Sequence, residues 1–524
     1  MAFINRSERS AVEAIAELNY TNPFSLRRME LERTALGDQF QAEEQPFWSL
    51  TDARTMPRRD NLVRLTDKAR RLLGPLRERL LQGERPDSRQ LELYEDLTTY
   101  VLFYDLLDEW QRPTMPNPTG KKPALEIWKR YSTQYDYWRL ASGNKSSILS
   151  EKAHLFSIFH QVFRAFFNIY HCVIGQSMPA AALRSRIWES IFSVNMRRYR
   201  RSLYRTLPQV TTLVTGPSGS GKELVARAIG LSRYIPFDVS SGQFKSDPSE
   251  SYAAINISAF SSNLVESELF GHAKGSFTGA VSARAGWLET CGEYGSILLD
   301  EIGELELTTQ VKLLRVLQNK EYQRLGETKT RRFEGKLIAA TNRNLRAEIE
   351  QKRFREDLYY RLCADVIETP SLSAQVQDNP AALESLVGFI AQRIAPDIQV
   401  ELTQETVDWL RNHLPPNYGW PGNIRELEQC VRNLMIHGYY RWDAHSLSGT
   451  NSSACTDQPQ SSLEASRLAQ QIAGLELTAD ELVSAYCRIA YRETRSFETA
   501  AKRLQLDRRT VRKKVDAMPS SSDC

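Results

Sequence analysis

No run of about 18 consecutive apolar residues occurs in this 524-residue sequence; the most apolar stretch, near Ala165 to Ile174, is broken by Asn168 and His171. A membrane-spanning helix is therefore not expected. The N-terminus lacks the basic-then-apolar order of a secretion signal, so a cytoplasmic location is expected. Cysteine is sparse: Cys172, Cys291, Cys363, Cys430, Cys455, Cys487 and Cys524 form no C-x-x-C pair. That argues against a disulfide framework and a zinc site, and fits a reducing compartment. Charge of one sign is also lacking, since 68 basic residues against 64 acidic ones leave a net +4. Any nucleic-acid signal must then be local. With 41% hydrophobic and 25% charged residues the composition is that of a globular protein, and the length argues for roughly three domains.

The chain is organised around Thr211 to Glu223, Thr-Thr-Leu-Val-Thr-Gly-Pro-Ser-Gly-Ser-Gly-Lys-Glu. A short β-branched run ends in a glycine-rich loop, and good helix formers follow at once. This strand-loop-helix order is what a phosphate cradle requires. Gly216, Pro217, Ser218, Gly219, Ser220 and Gly221 form the loop, Lys222 supplies a point charge, and the helix N-terminus adds its dipole. A nucleoside triphosphate, ATP with Mg2+, is the expected ligand. Glu223 stands where most such loops place a metal-binding hydroxyl.

Further on, the apolar strand Gly295 to Leu299 ends in Asp300-Glu301. Asp300 is expected to hold the magnesium ion and Glu301 to orient the attacking water, because phosphoryl transfer asks mainly for positioning and charge stabilisation. A third strand, Lys336 to Ala340, ends in Thr341-Asn342, with Asn342 placed to read the γ-phosphate. Strands alternating with helices imply a parallel α/β sheet with its ligand at the carboxyl ends. Arg355 and Arg361 are either ordinary surface ion-pair residues or arginine fingers that complete a neighbouring subunit's site in a ring. Arg425, in Trp420-Pro421-Gly422-Asn423-Ile424-Arg425-Glu426-Leu427, is placed to sense nucleotide from a small helical lid.

Between the two nucleotide motifs stands Glu268-Leu269-Phe270-Gly271-His272-Ala273-Lys274-Gly275-Ser276-Phe277-Thr278-Gly279-Ala280. This stretch closely resembles the surface loop of the sigma-54-dependent transcriptional activators, bacterial enhancer-binding proteins of the AAA+ class. The resemblance covers roughly Ser193 to Tyr440. It implies that Phe277 and Thr278 engage the sigma factor, that Glu223 is a family habit, and that Asn256 is a switch residue pairing with the catalytic glutamate. It also implies a bacterial cytoplasmic home, a ring of identical subunits, commonly a hexamer, and sigma-54 RNA polymerase holoenzyme as partner. Three places depart from the family pattern. Ser276 replaces an alanine, Ala273 stands where an acidic residue is usual, and Ser371 to Asp378 replaces an arginine- and acid-rich segment. A polar stretch, Ser240 to Ser251, reads as an extended surface loop.

Residues 1–190 read as a mostly helical regulatory or sensory domain. Helical patterns run from Leu91 to Trp110 and from Lys152 to Cys172, and Pro113, Pro116, Pro118 and Gly120 mark a break between them. The aromatic stripe of the second pattern is read as packing against neighbouring helices, with the lining of a ligand pocket as the less favoured alternative. His154 and His160 are six apart, a spacing that fits no helical metal pair. Met196 to Arg205, dense in arginine, reads as a solvated helix. Residues 191–370 form the α/β ATPase subdomain, 371–443 the helical lid and 444–477 a linker. The last domain, 478–518, is a small all-α unit. There Ser496 to Asp516 carries seven bases against three acids on two helices around a Gln505-Leu506-Asp507 turn. It resembles the Fis-type helix-turn-helix, which implies double-stranded DNA as partner, with Arg508, Arg509, Arg512 and Lys513 at the interface. The combined expectation is a multidomain DNA-bound ATPase that remodels sigma-54 RNA polymerase. Two alternatives stay open: a nucleotide-switched DNA-binding regulator without remodelling activity, and an ATPase acting on another protein client.

Overall fold

The computed structural model describes residues 3–42, 59–110, 123–139, 145–247, 252–277, 280–415, 417–440, 478–494 and 496–516. They belong to two compact units, Met1–Asp443 and Ala444–Cys524. No described helix is long and apolar enough to cross a membrane, and no cluster of metal-ligating side chains occurs among the described residues.

The first unit begins with helices α1 (Arg9–Leu18), α2 (Leu26–Leu36), α3 (Asp60–Leu81), α4 (Ser88–Tyr104), α5 (Leu107–Trp110), α6 (Pro123–Trp138), α7 (Lys145–Cys172), α8 (Met178–Phe192) and α9 (Met196–Arg201). The run expected from Leu91 to Trp110 is thus two helices, while the second pattern is one helix longer than expected. The proline-rich break at 113–120 lies outside the described residues. Local signals explain the starts: Asp87 and Gln90 close a capping box on α4, and Ser177 caps α8 ahead of Pro179.

Strands β1 (Thr212–Thr215), β4 (Tyr252–Asn256), β7 (Ser296–Asp300), β10 (Lys336–Thr341) and β11 (Asp365–Glu368) form one parallel sheet in the order β11-β1-β10-β7-β4. Three two-residue hairpin pairs flank it: β2 (Phe237–Asp238) with β3 (Gln243–Phe244), β5 (Gly271–His272) with β6 (Arg284–Ala285), and β8 (Glu321–Tyr322) with β9 (Arg331–Arg332). Its helices are α10 (Lys222–Gly230), α11 (Ser262–Phe270), α12 (Trp287–Thr290), α13 (Leu307–Asn319), α14 (Leu345–Glu350) and α15 (Glu356–Leu362). The region expected to be the lid holds four helices, α16 (Leu372–Asp378), α17 (Ala381–Ile394), α18 (Gln399–His413) and α19 (Asn423–His437).

Successive strand residues point to opposite faces, so a sheet buried on both sides reads as a continuous apolar run. Ile297, Leu299, Leu337 and Ala339 enter a core with Leu313 of α13 and Leu358 of α15. Their neighbours Leu298, Ile338 and Ala340 enter a second core with Val225 and Ile229 of α10. That second core also holds Ile158, Ala165 and Ile169 of α7 and Ile187 and Trp188 of α8. One face of the sheet is therefore covered in part by the N-terminal helices.

Both segments that defied a sequence reading are contacts of those helices. The polar stretch from Ser240 contains β3, whose Phe244 stacks on His160 at 4.0 Å and packs beside Phe156 and Phe237. It is not simply a surface loop, because Phe244 within it and Phe237 just before it supply an apolar anchor; 248–251 lie outside the described residues. Ser371 to Asp378 is a capped helix, with the Ser371 hydroxyl accepting from Ala374 N. At its end the Asp378 carboxylate accepts from Met178 N at 2.7 Å, and Asn379 donates to Gln176 O. The arginine-rich α9 is not simply solvated either. Met196 and Tyr199 are buried, and Arg197 pairs with Glu92 and Asp96.

In the second unit, helices Ala479–Thr494, Phe497–Leu504 and Arg508–Asp516 enclose Cys487, Ala490, Ala500, Ala501 and Val511. Gln505 takes the left-handed conformation that ends the middle helix, and the Asp507 carboxylate accepts from Arg509 N at 2.8 Å. Arg508, Arg509, Arg512 and Lys513 are exposed. The 444–477 linker lies outside the described residues.

Candidate functional site

The glycine loop follows the sheet's second strand, β1, and its glycines are there for conformational reasons. Gly216, Gly219 and Gly221 have φ of 141°, 72° and 91°, a region closed to most side chains. A Cβ at Gly216 would lie 2.1 Å from Thr369 Oγ1, and one at Gly219 2.3 Å from Gly422 O. The chain passes too close to the β11 end and the lid for any other residue. The amides of Gly219, Gly221 and Lys222 find no acceptor among the described residues, which leaves them for an anion at the helix N-terminus.

Lys222 is only 7% exposed, and its Nζ donates to Gly216 O and Pro217 O at 3.1 Å each. It forms no ion pair among the described residues. Burial pulls its pKa below the usual lysine value, opposed by the charges of Glu301 and Asp300 and assisted by Arg425. A phosphate would supply the counter-charge that the loop carbonyls only approximate. The cradle and its unpaired ammonium therefore fit a nucleoside triphosphate.

Sheet order does the rest. Because β10 lies between β1 and β7, Thr341-Asn342 stands between the glycine loop and Asp300-Glu301. Thr341 is buried and its hydroxyl accepts from Arg343 N, while Asn342 is exposed. Asp300 accepts from Glu301 N at 3.0 Å. Glu301 holds a left-handed conformation (φ 55°, ψ 48°), which is strained for a non-glycine residue and turns it out of the strand. Asn256 is the register partner of Asp300. Its carboxamide oxygen accepts from Ser258 N and Oγ, and no hydrogen bond joins it to Glu301 among the described residues. Glu223 is exposed in the first turn of α10.

Arg355 and Arg361 sit at the start and end of α15, both exposed. Arg355 grips Asp357 through two nitrogens at 2.7 and 3.0 Å, which raises its pKa. Arg361 has no ion pair among the described residues. Neither arginine touches this chain's own glycine loop.

The lid closes directly on the loop. Arg425 donates to Ser218 Oγ at 3.3 Å, Asn423 Nδ2 to Ser218 O at 2.9 Å, and Ile424 N to Gly219 O at 3.1 Å. Asn423 also accepts from Leu372 N, and Ser220 shares a 2.6 Å hydroxyl contact with Thr369. Asn423 and Thr369 escaped sequence reasoning. The one available signal was that asparagine tolerates the left-handed φ of 51° that position 423 adopts.

Beside the loop lies an apolar pocket of ≈ 90 Å³ between Leu224, Pro370, Ile390 and Ile424, with Val173 and Ile174 from the α7–α8 turn as a further wall. Gln375 of α16 also lines it; this side chain is 5% exposed and its Oε1 has no hydrogen-bond partner.

The loop carrying Gly275 to Ala280 rises from the β5–β6 hairpin. Gly275 N donates to Ala280 O and Ala280 N to Phe277 O, at 2.9 and 3.0 Å. Phe277 is 40% exposed and meets His272 edge-on at 5.1 Å. His272 is fixed in turn by Ser267 Oγ and Ser282 O. The neighbouring β8–β9 hairpin, unforeseen in the sequence, braces the base: Leu325 N donates to Gly271 O, and Ala273 N to Leu325 O. Ser276 packs against Gly326, where an added Cβ would come within 2.8 Å. Thr278 and Gly279 lie outside the described residues.

Residues 192–368 match the family described as the sigma-54 interaction domain. The Nif-specific regulatory protein of Azotobacter vinelandii is 41% identical over 245 residues, 46% of this chain and 43% of the relative. The DNA-binding transcriptional regulator NtrC of Azospirillum brasilense is 37% identical over 279 residues, 51% and 53%. The sigma54-dependent transcriptional regulator SfnR of Pseudomonas fluorescens is 39% identical over 228 residues, 44% and 57%. The chain thus spans about half the length of these relatives. The matched residues contain the glycine loop, the Asp300-Glu301 pair, the Phe277 loop, Arg355, Arg361 and α9, whereas α1 to α7, nearly all of α8, the four helices after β11 and the C-terminal unit lie outside them.

Proposed function

We propose that this chain is a DNA-bound AAA+ ATPase that couples ATP hydrolysis, in a homo-oligomeric ring such as a hexamer, to remodelling of sigma-54 RNA polymerase. The observation that carries this reading is the convergence of the glycine loop, Thr341-Asn342 and Asp300-Glu301 at the carboxyl ends of three adjacent parallel strands within a sigma-54 interaction domain. In the proposed division of labour Lys222 and the loop amides hold the phosphates, Asp300 the magnesium ion, and Glu301 positions and deprotonates water. The metal neutralises charge on the phosphate oxygens. Arg355 and Arg361, facing solvent, are presented to a neighbouring subunit's site, where Arg355 would exchange its Asp357 partner for phosphate. Arg425 and Asn423 report loop occupancy to the lid. The pocket beside the loop takes the purine, with Gln375 facing its edge. Phe277 and Thr278 form the sigma-54 contact, with Gly275, Ser276, Gly279 and Ala280 shaping the loop. The exposed Arg508, Arg509, Arg512 and Lys513 support contact of the C-terminal unit with double-stranded DNA.

Glu301→Gln is expected to bind ATP and to release phosphate on the order of 10²-fold more slowly, as loss of a general base requires; undiminished phosphate release would remove Glu301 from the reaction. Thr278→Ala should hydrolyse ATP normally but fail to open a sigma-54 promoter.

A further inference from the structure

A cavity of ≈ 140 Å³ lies within the helical N-terminal region, walled by the α1–α2 turn and by α4, α7, α8 and α9. Its sides are mostly apolar, and Phe103, Phe159, Val162, Phe166 and Trp188 provide most of the ring and methyl surface. An apolar cavity of about this size holds one benzene-sized ring. Well-packed interiors do not leave such a void without a loss of contacts.

The cavity also has one charged group without a close ion-pair partner among the described residues. Arg200 of α9 lines the space, and among the described residues its guanidinium lies within ion-pair distance of no carboxylate; the Tyr20 ring is 5.7 Å away, and its charge acts on Asp96 only at longer range. The carboxylate nearest in sense, Asp96, is already taken by the Tyr20 hydroxyl and by Arg197. The other two arginines of the wall, Arg28 and Arg59, clasp Glu32. A half-buried guanidinium facing an aromatic void selects a carboxylate attached to a ring, because the fork geometry of arginine matches two carboxylate oxygens.

We propose that this cavity binds a single-ring organic acid, with the ring between α4 and α7 and the carboxylate on Arg200. Ile158, which lines the cavity, and Trp188 also belong to the core that packs on Val225 and Ile229 of α10. An occupant therefore braces α7 and α8 against the helix that follows the glycine loop, and the signal it carries is read by packing. The site is separate from the nucleotide reading, and its test measures binding alone.

The probes are benzoate and, as the neutral ring, benzene, titrated into the full chain by calorimetry and ligand-observed NMR. Saturable benzoate binding is expected, weakened at least tenfold in Arg200→Gln, while benzene binds both proteins alike and shows that the variant is folded. Val162→Trp, which fills the void, should bind neither. Absence of saturable benzoate binding, equal benzoate affinity in Arg200→Gln, or benzoate binding that survives Val162→Trp would each overturn the proposal.

Discussion

At the scale of single residues, two buried polar groups carry measurable consequences. Gln375 has an acceptor with no donor, in a wall of the pocket beside the glycine loop, and one neutral hydrogen bond is worth about 1 kcal/mol. ATP should therefore bind roughly fivefold more tightly than the triphosphate of purine riboside, which lacks the 6-amino donor, and Gln375→Leu should erase the difference. A wild-type chain that does not discriminate between the two would sink this role. Lys336 begins β10 nearly inaccessible, with its Nζ donating to Val210 O at 2.8 Å. Burial pushes its pKa down from 10.5 to about 8, with Arg233 and Lys320 adding to the effect and Asp365 opposing it. The folded pKa is below the unfolded one, so between these values the unfolded chain binds more protons. Stability should then rise with pH through that window, by up to roughly 3 kcal/mol, and the penalty is fully present below about pH 8. Urea midpoints of Lys336→Met should lack this rise. These two roles were invisible in the sequence because a lone Gln or Lys takes its meaning from what surrounds it. Lys222, by contrast, was legible at once, since its partners are its own chain neighbours.

At the scale of elements, α7 joins the helical region to the α/β sheet. His154, Gln161 and Asn168 recur every seven residues along it and meet Tyr234, Ser232 O and Ser232 Oγ, just beyond the C-terminus of α10. Arg164 adds a bond to Arg233 O, and burial lowers its pKa to about 9. One helix thus carries an aromatic stripe for its own neighbours and a polar stripe for the α/β region after α10. Periodicity favoured packing for the first stripe, and the structure shows both uses: Phe156 packs in a core, while Phe159, Val162 and Phe166 also wall the N-terminal cavity. The β2–β3 hairpin adds to the same contact through Phe244. Phe244→Ala should destabilise the full chain by about 2 kcal/mol while leaving ATP affinity within error, as read by thermal unfolding and nucleotide titration. An unchanged melting temperature would mean that the hairpin contributes nothing to the junction. Serine-rich composition hid this element, since two aromatics spaced around a turn produce no periodic signal.

At the scale of the whole chain, the helical region and the α/β sheet share one apolar core within the first unit. A chain beginning at Ser193 would leave Val225, Ile229 and their neighbours without α7 and α8. It is expected to bind a hydrophobic dye and to melt well below the full chain, since exposed core of this kind marks a molten or aggregating state. A native-like melting profile and normal ATPase rate for the Ser193 chain would show that the shared core is dispensable. The same packing gives the N-terminal region a physical route to the nucleotide: the α7–α8 turn forms one wall of the pocket beside the loop, and α16 fastens the lid to the start of α8.

What the sequence determined by itself was the set of chemistry-bearing loops: glycines that need left-handed backbone, acids at strand ends, an exposed aromatic on a glycine-flanked loop, and a basic terminal helix. Each depends on residues close together in the chain, and short-range conformational rules suffice to read them. The tertiary structure alone decided which face of the sheet the N-terminal helices cover, that Asn423 and Thr369 close on the glycine loop, and that a ring-sized void opens beside Arg200. These depend on residues up to about 200 positions apart, as Met178 and Asp378 are, and such pairings are set by complementarity of packed surfaces that no local pattern encodes.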